Sequence, residues 1–452
     1  MRSESRLFCQ SVLVCRAVLV LGVVAVACRV EAGGLIRGGA VGGIHIDTDG
    51  VVTTPQIDDE AALETKWRSG LAPVPGDLQQ MTDLRFVSLR GLEAEIAKAR
   101  AAGEDLPDAV RYTAGLLRVK HVFVYPMQND IVLAGPAEGW RVDSLGNTVG
   151  ATTGRPVVFL EDLIVALRAA ESETGAISCS IDPTAEGLQR VARVQREFTP
   201  GMSPRLAGQK IERALGQQTV SVDGVPATSH FARVLVAADF RMKRLAMDFE
   251  PAPVSNLPSY LDMLPERGRP PRNLLPRWWL ATNYEPIARN AEGTAWEIRG
   301  QGVKCETEND FVDAQGGRTR SEKTNSFARK WADRLTESFE ELANEDSSFG
   351  HLRNVMDLSV ATAVIAKHDL LRKTGLALPW LLEKEQIEEY PAPRSVASQA
   401  SYLRKGSKWI ISASGGVQML PWQVADKTET LDTTPAEREQ ALAKRGELWW
   451  WE

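Results

Sequence analysis

The run SHFARVLVAADFRMKRLAMDF, Ser229–Phe249, decides how the rest of the chain is read. Phe231, Leu235, Ala238, Met242, Leu245 and Phe249 recur at alternating spacings of four and three, which puts them on one narrow stripe of a helix. Val236, Phe240 and Met247 form a second stripe, roughly 140 to 160 degrees around the wheel at 3.6 residues per turn. Arg233, Lys243, Arg244 and Asp248 fall mainly in the sectors between. A helix apolar on two opposed faces is expected between layers, as a buried structural element rather than one that presents its basic residues to a ligand. Thr228 or Ser229 can cap its first turn by accepting from a free backbone N–H, and Pro251 and Pro253 stop it. Asp239 with Lys243 and Arg244 with Asp248 are i, i+4 pairs, worth a few tenths of a kcal/mol each at most.

Upstream of this helix, strands and helices alternate. Val41 to Asp47 and Val51 to Thr54 read as two strands around an Asp49-Gly50 turn. A short helix is expected over 58–67, a strand over 85–89, and helices over 92–102 and 108–117. The apolar runs 120–125 and 130–134 predict a hairpin, followed by a tight turn at Gly135 to Trp140. Then come strand 156–159, helix 160–170, strand 176–181 and helix 183–198, with Asp182 as cap and Pro183 in the first turn. A helix over 207–217 and a strand over 219–222 complete the block. This order indicates an α+β fold: a mixed-sheet N-terminal domain, 33–250, with a long central helix.

Downstream, prolines crowd 251–276 and suggest a linker, with Arg267, Arg269 and Arg272 around Pro270-Pro271. Residues 277–420 read as a second domain. Strands at 277–282, 294–299 and 303–307 resemble a small antiparallel sheet, and helices 322–344 and 352–371 an αα-hairpin turning at 345–350. A further hairpin is expected from 396–403 and 408–413, and 421–452 is a tail ending Trp449-Trp450-Trp451.

The first 32 residues read as a leader for export. Arg2 and Arg6 give a basic start, and Ala17 to Ala27 is apolar but too short to span a bilayer. Val30-Glu31-Ala32 precedes a cleavage site at Gly33; Ala25-Val26-Ala27-Cys28 offers the competing outcome of a lipid-anchored Cys28. At 452 residues, 43% hydrophobic and 25% charged, the chain is long enough for two or three ordinary cores. Its formal net charge is -6, and losing the leader removes four basic and two acidic residues. That balance argues against nonspecific binding of nucleic acid or of an anionic membrane. Membrane contact is expected only through a lipid on Cys28 or through the terminal tryptophans. Cys179 and Cys305 remain after cleavage at Ala32, either paired or as two isolated buried thiols.

Candidate functional residues are few. Glu138 and Trp140, in the Gly135 to Trp140 turn, can face a ligand or brace the sheet; Trp278 and Trp279 open the second block and are candidates for a binding surface. Asp47-Thr48-Asp49-Gly50, after an apolar strand, resembles the first motif of haloacid-dehalogenase-like phosphatases, which would make Asp47 the nucleophile and Asp49 the acid beside magnesium. The later motifs that this chemistry needs are missing, and a hairpin turn accounts for the same letters. A second catalytic alternative gathers Glu138, Asp182 and Asp239 from separate loops. The five histidines stand singly and no cofactor or metal spacing is present, so neither a cofactor nor a metal is expected.

Five runs taken together, DIVLAGPAEGW at 130–140, SCSIDPTAEGL at 178–188, SHFARVLVAADFRMKRLAM at 229–247, PRWWLATNYEPI at 276–287 and LRNVMDLSVATAVI at 352–365, resemble large exported proteins of planctomycete bacteria grouped as a domain of unknown function. The resemblance spans most of 40–375. It implies a bacterial envelope setting and carries no catalytic residue. The expectation is an exported, non-catalytic binding or assembly protein with a partner in the envelope; the alternative is an exported hydrolase.

Overall fold

A computed structural model describes residues 43–54, 71–172, 175–199, 201–264, 276–308, 310–312, 318–320, 326–400, 413–431 and 438–439. The leader with Cys28, the helix expected over 58–67, the arginines of 267–272, most of the 396–413 hairpin and Trp449 to Trp451 lie outside the described residues.

The strands in chain order are β1 (His45–Ile46), β2 (Val51–Thr53), β3 (Thr82–Ser88), β4 (His121–Tyr125), β5 (Asp130–Ala137), β6 (Trp140–Val142), β7 (Thr148–Gly150), β8 (Ile177–Pro183), β9 (Gln217–Asp223), β10 (Arg277–Asn283), β11 (Ile287–Arg289), β12 (Ala295–Glu297), β13 (Gly302–Glu308), β14 (Asp310–Val312), β15 (Arg318–Arg320), β16 (Ser395–Ala397), β17 (Ser414–Met419) and β18 (Thr428–Thr430). The helices are α1 (Leu89–Ala102), α2 (Asp108–Arg111), α3 (Leu160–Ala170), α4 (Ala185–Gln195), α5 (Pro204–Leu215), α6 (His230–Ala246), α7 (Ser326–Glu337), α8 (Phe339–Glu345), α9 (Ser347–Lys367), α10 (Leu370–Thr374) and α11 (Pro421–Ala425).

The fold is α+β with mixed sheets. An eight-stranded sheet runs β1-β2-β16-β9-β8-β17-β10-β13 and a six-stranded sheet β18-β11-β12-β4-β5-β3. Both take strands from either side of residues 251–276, which corrects the expected division there. β17 lies antiparallel to β8 and parallel to β10, so one strand from near the C-terminus is hydrogen-bonded between the two expected domains. β12 likewise pairs with β4, and β16 with β9 and β2. Residues 40–452 accordingly form one compact unit. The three strands expected to make a small sheet in the second block do not make one together: β10 and β13 form a hairpin that enters the large sheet, β11 and β12 enter the other, and only β14 and β15 pair by themselves among the described residues.

β17 reaches its place because it begins Ser-Gly-Gly. A Cβ on Gly415, whose φ is +123°, would collide with the Trp278 carbonyl, and one on Gly416 with the Cys179 carbonyl. Cys179 on β8 and Cys305 on β13 are both free and buried. They stand three strand positions apart, at about 4.8 Å per spacing, which is beyond the reach of a disulfide.

The helix read from 229–249 forms as α6. Ser229 caps it, its hydroxyl accepting from Ala232 N–H at 3.1 Å, a contact worth about 1 kcal/mol. Its two apolar stripes meet different layers, β8 and β17 on one side and α3 and α9 on the other. Asp239 and Lys243 pair as read, at 2.8 Å. Arg244 turns instead to Glu250 at 2.5 Å, because the helix ends at Ala246 and Asp248 takes a left-handed φ of 57° that carries it off the face.

Other boundaries moved for local reasons. Pro183 closes β8 rather than opening a helix, and Thr184 is the cap, accepting from Gly187 N–H at 3.0 Å. The helix read over 322–344 breaks at Ser338, and the expected turn at 345–350 shrinks to Asp346, whose carboxylate accepts from Ser348 N–H at 3.0 Å and starts α9. Every residue of α9 from Ser348 to Ile365 is buried. A helix buried on every side lies in the middle of a fold, and α9 packs against α3, α6, α8 and β13.

Candidate functional site

α6 carries a distinct polar arrangement at each end. At its C-terminal end a small cleft, with an interior of about 40 Å³, opens between the helix and the large sheet. Phe240 and Met247, from the second stripe of the helix, form its wall with Phe249, and Ile181, Val396, Ala397 and Ala413 add apolar surface from the sheet side. Gln218, Gln399, Lys243 and Arg244 supply the polar groups. The Lys243 ammonium is fully engaged, donating to Asp239 Oδ2 at 2.8 Å, to the Ile181 carbonyl at 2.8 Å and to the Gly415 carbonyl at 3.2 Å. With three donors so used, it is a strut between helix and sheet rather than a nucleophile. Burial pushes the Asp239 carboxyl up to about 7, against the opposing pull of Lys243, and its Oδ1 has no hydrogen-bond partner. Arg244 reaches Gln399 Oε1 at 2.7 Å, and its guanidinium lies 5.4 Å from the Phe240 ring centroid and 5.8 Å from that of Phe249. The lining thus joins apolar walls to hydrogen-bonding groups at their edge.

At the N-terminal end, the starts of three helices converge. Asp162, in the first turn of α3, accepts from His230 Nδ1 with both oxygens, at 3.0 and 2.9 Å. His230 opens α6 and is stacked on Phe159 at 4.6 Å, and His351 in the first turns of α9 meets it edge-on at 5.5 Å. The Tyr390 hydroxyl donates to Glu161 Oε1 at 3.2 Å, and the Arg233 guanidinium sits 4.9 Å from the Tyr390 ring centroid. Burial alone would lower His230, but Asp162 outweighs it and the imidazole is raised above its ordinary value. Burial and the neighbouring His230 hold His351 well below that value, and burial lifts Glu161 to about 7. An imidazole held in one orientation by a carboxylate is half of a nucleophile-activating pair. No Ser, Thr or Cys side chain is bonded to His230 among the described residues, and His230, Asp162 and His351 are all buried. Sequence spacing gave no warning of this cluster, since its members come from four separate segments; the available signal was that Asp162, His230 and His351 each fall in the opening turns of a helix.

The residues singled out from the sequence do not assemble into one site. Glu138 is fully buried, its carboxylate accepting from the N–H groups of Thr152 at 2.9 Å and Thr153 at 3.0 Å and from the Thr153 hydroxyl. Trp140 is buried beside Tyr112, and its indole N–H has no acceptor. Trp278 points inward, donating to the Ala328 carbonyl at 3.0 Å and packing on Trp331 and Tyr260. Trp279 faces the other side of the strand, half-buried under the Arg277 guanidinium. Asp182 pairs with Arg277 at 3.2 Å and lies near enough to Asp239 to raise it, whereas Glu138 is turned into the 150–155 loop. Asp47 Oδ1 accepts from the N–H groups of Asp49 and Val51, both at 2.9 Å, which is the geometry of a side-chain-braced turn. Among the described residues, no group of three or more His, Cys, Asp or Glu is placed to hold a metal ion, and no helix is long and apolar enough to cross a membrane.

Residues 179–260 match the model of a family described as a protein of unknown function (DUF1598). No curated protein and no solved structure gives a match. The matched segment runs from β8 through α6 to Tyr260, and it contains the cleft residues Ile181, Gln218, Phe240, Lys243, Arg244, Met247 and Phe249 together with His230.

Proposed function

We propose that this chain is an exported, non-catalytic binding component of a bacterial cell envelope, and that the cleft at the end of α6 holds its ligand. The observation that carries the reading is the cleft itself. Its apolar walls with a few convergent polar groups have the composition of a small-molecule site. The ligand class that fits is an amphiphile whose apolar part lies along Phe240, Met247 and Phe249 and whose head bonds Gln218, Gln399 or Arg244. The family match supports placing the site here, because the matched segment supplies most of its lining. The basic and then apolar leader of residues 1–32 supports export, with the envelope layer set by cleavage at Ala32 or lipidation at Cys28.

The test uses anilinonaphthalene sulfonate, an apolar fluorescent anion, titrated into the wild type and into Ala397→Trp, which fills the cleft from an exposed position at the end of β16. Saturable dye binding that weakens about tenfold in the variant, a difference of about 1.4 kcal/mol, is the expected result. Equal binding by both proteins, or none by the wild type, removes the cleft as the site. Magnesium-dependent phosphoester hydrolysis that disappears in Asp47→Asn would replace this reading with the hydrolase alternative.

A further inference from the structure

A second polar site lies away from the cleft, around α9. Asp357 is fully buried and its oxygens are committed: Arg118 donates to Oδ2 at 2.7 Å and to Oδ1 at 3.0 Å, and the Tyr284 hydroxyl donates to Oδ1 at 2.8 Å. One turn earlier on the same helix, Arg353 is 1% exposed. It donates through Nη2 to Asn344 Oδ1 at 3.2 Å, and its Nε has no partner. The Nε of Arg155, a half-buried residue, is also without one. Asn354 Nδ2 donates to the Pro156 carbonyl at 2.9 Å, which sets the segment that carries Arg353 against the one that carries Arg155, and burial and then the charges of Arg118 and Arg155 bring the Arg353 guanidinium down to about 9.

The acidic groups around them do not use the spare donors. Asp357 is spent on Arg118 and Tyr284, and Glu138, which neighbours Arg155, is spent on the Thr152 and Thr153 donors. Glu340 is exposed at the rim. A buried guanidinium with unused N–H groups and like-charged neighbours is costly unless something with several acceptor atoms pairs with it. Arginine forks match the oxygens of phosphate-like anions two at a time.

We propose that Arg155 and Arg353, braced by the Arg118–Asp357–Tyr284 network, form a binding site for a small phosphate-type oxyanion that enters past Arg155. Arg155 makes the outer contact and Arg353 the inner one, and the Glu340 carboxylate at the rim is what the anion competes with.

The experiment is a thermal-unfolding titration with inorganic phosphate at constant ionic strength, chloride serving as the balancing anion, on wild type, Arg155→Gln and Arg353→Gln. Saturable stabilisation of the wild type by phosphate is expected, with the apparent affinity about tenfold weaker in each variant. If Arg353→Gln does not fold, Arg155→Gln decides alone, because Arg155 is partly exposed and its replacement leaves the buried network in place. A phosphate response no larger than that to chloride, or one that Arg155→Gln leaves unchanged, overturns the proposal.

Discussion

Asp162 and His230 make the most consequential side-chain contact outside the cleft, since each is buried and each is the other's charge partner. Removing one member of such a pair strands the other, so Asp162→Asn is expected to cost about 3 kcal/mol. The pH dependence follows from the directions of the shifts. His230 is raised in the folded chain, so its contribution is complete below its ordinary value and fades as pH climbs through the folded one. Glu161, raised to about 7, also binds its proton more tightly when folded, and that advantage disappears between the ordinary carboxyl range and neutrality. His351 acts oppositely, costing stability when acid forces a proton onto it. Arg233 from α6 and Tyr390, which face this cluster, stay in one charge state between pH 6 and 8. Urea denaturation at pH 6 and at pH 8 should therefore show wild-type stability falling over that interval and Asp162→Asn falling less. Parallel curves for the two proteins would mean that the imidazole does not hold a proton through Asp162.

At the level of the element, α6 is fastened to the sheet through the Lys243 ammonium, set in an apolar interface. Lys243 bridges Asp239 of its own helix to the carbonyls of Ile181 on β8 and Gly415 on β17. Asp239→Leu leaves the ammonium buried beside two carbonyls and is expected to cost about 3 kcal/mol or more. Asp239→Leu with Lys243→Met removes both charges and keeps the volume, so the double variant should be more stable than the single one. Equilibrium unfolding of the three proteins measures this, and a double variant weaker than Asp239→Leu would show that the carbonyl contacts of Lys243 matter more than its charge. The exposed i, i+4 partner read for Arg244 had no such environment. A helix can end a residue early at little cost on a solvated face, and then the spacing no longer describes neighbours.

For the whole molecule, the interleaving of strands makes cooperativity the main expectation. A fragment of residues 40–250, the first domain as the sequence suggested it, would lack β17 beside β8, β16 beside β9 and α9 beside α6. That leaves the β8 and β9 edges unpaired and one face of a two-faced helix in water, which the fragment cannot compensate. It should show no cooperative thermal transition and poorly dispersed amide resonances. Adding a 276–431 fragment should restore both, whereas a 40–250 fragment that folds by itself would mean that the sheets close around the later strands rather than depend on them.

The α+β class, the place of α6 and its buried role between layers, the Asp239–Lys243 pair and the β4–β5 hairpin were legible in the residues alone, with the cap of α6 narrowed to Thr228 or Ser229. These are local properties, set by periodicity, turn chemistry and neighbours a few residues apart. Which strands share a sheet emerged with the packed fold, because a strand's pairing partner is not written in its own alternation of side chains. For the same reason the packed fold alone decided that Glu138 and Trp278 are interior, that Cys179 and Cys305 stand too far apart to bond, and that Phe240 and Met247 face a cleft. Asp162, His230 and His351, like Arg118, Arg155 and Arg353, become neighbours only when distant helices pack, and no spacing along the chain encodes that convergence.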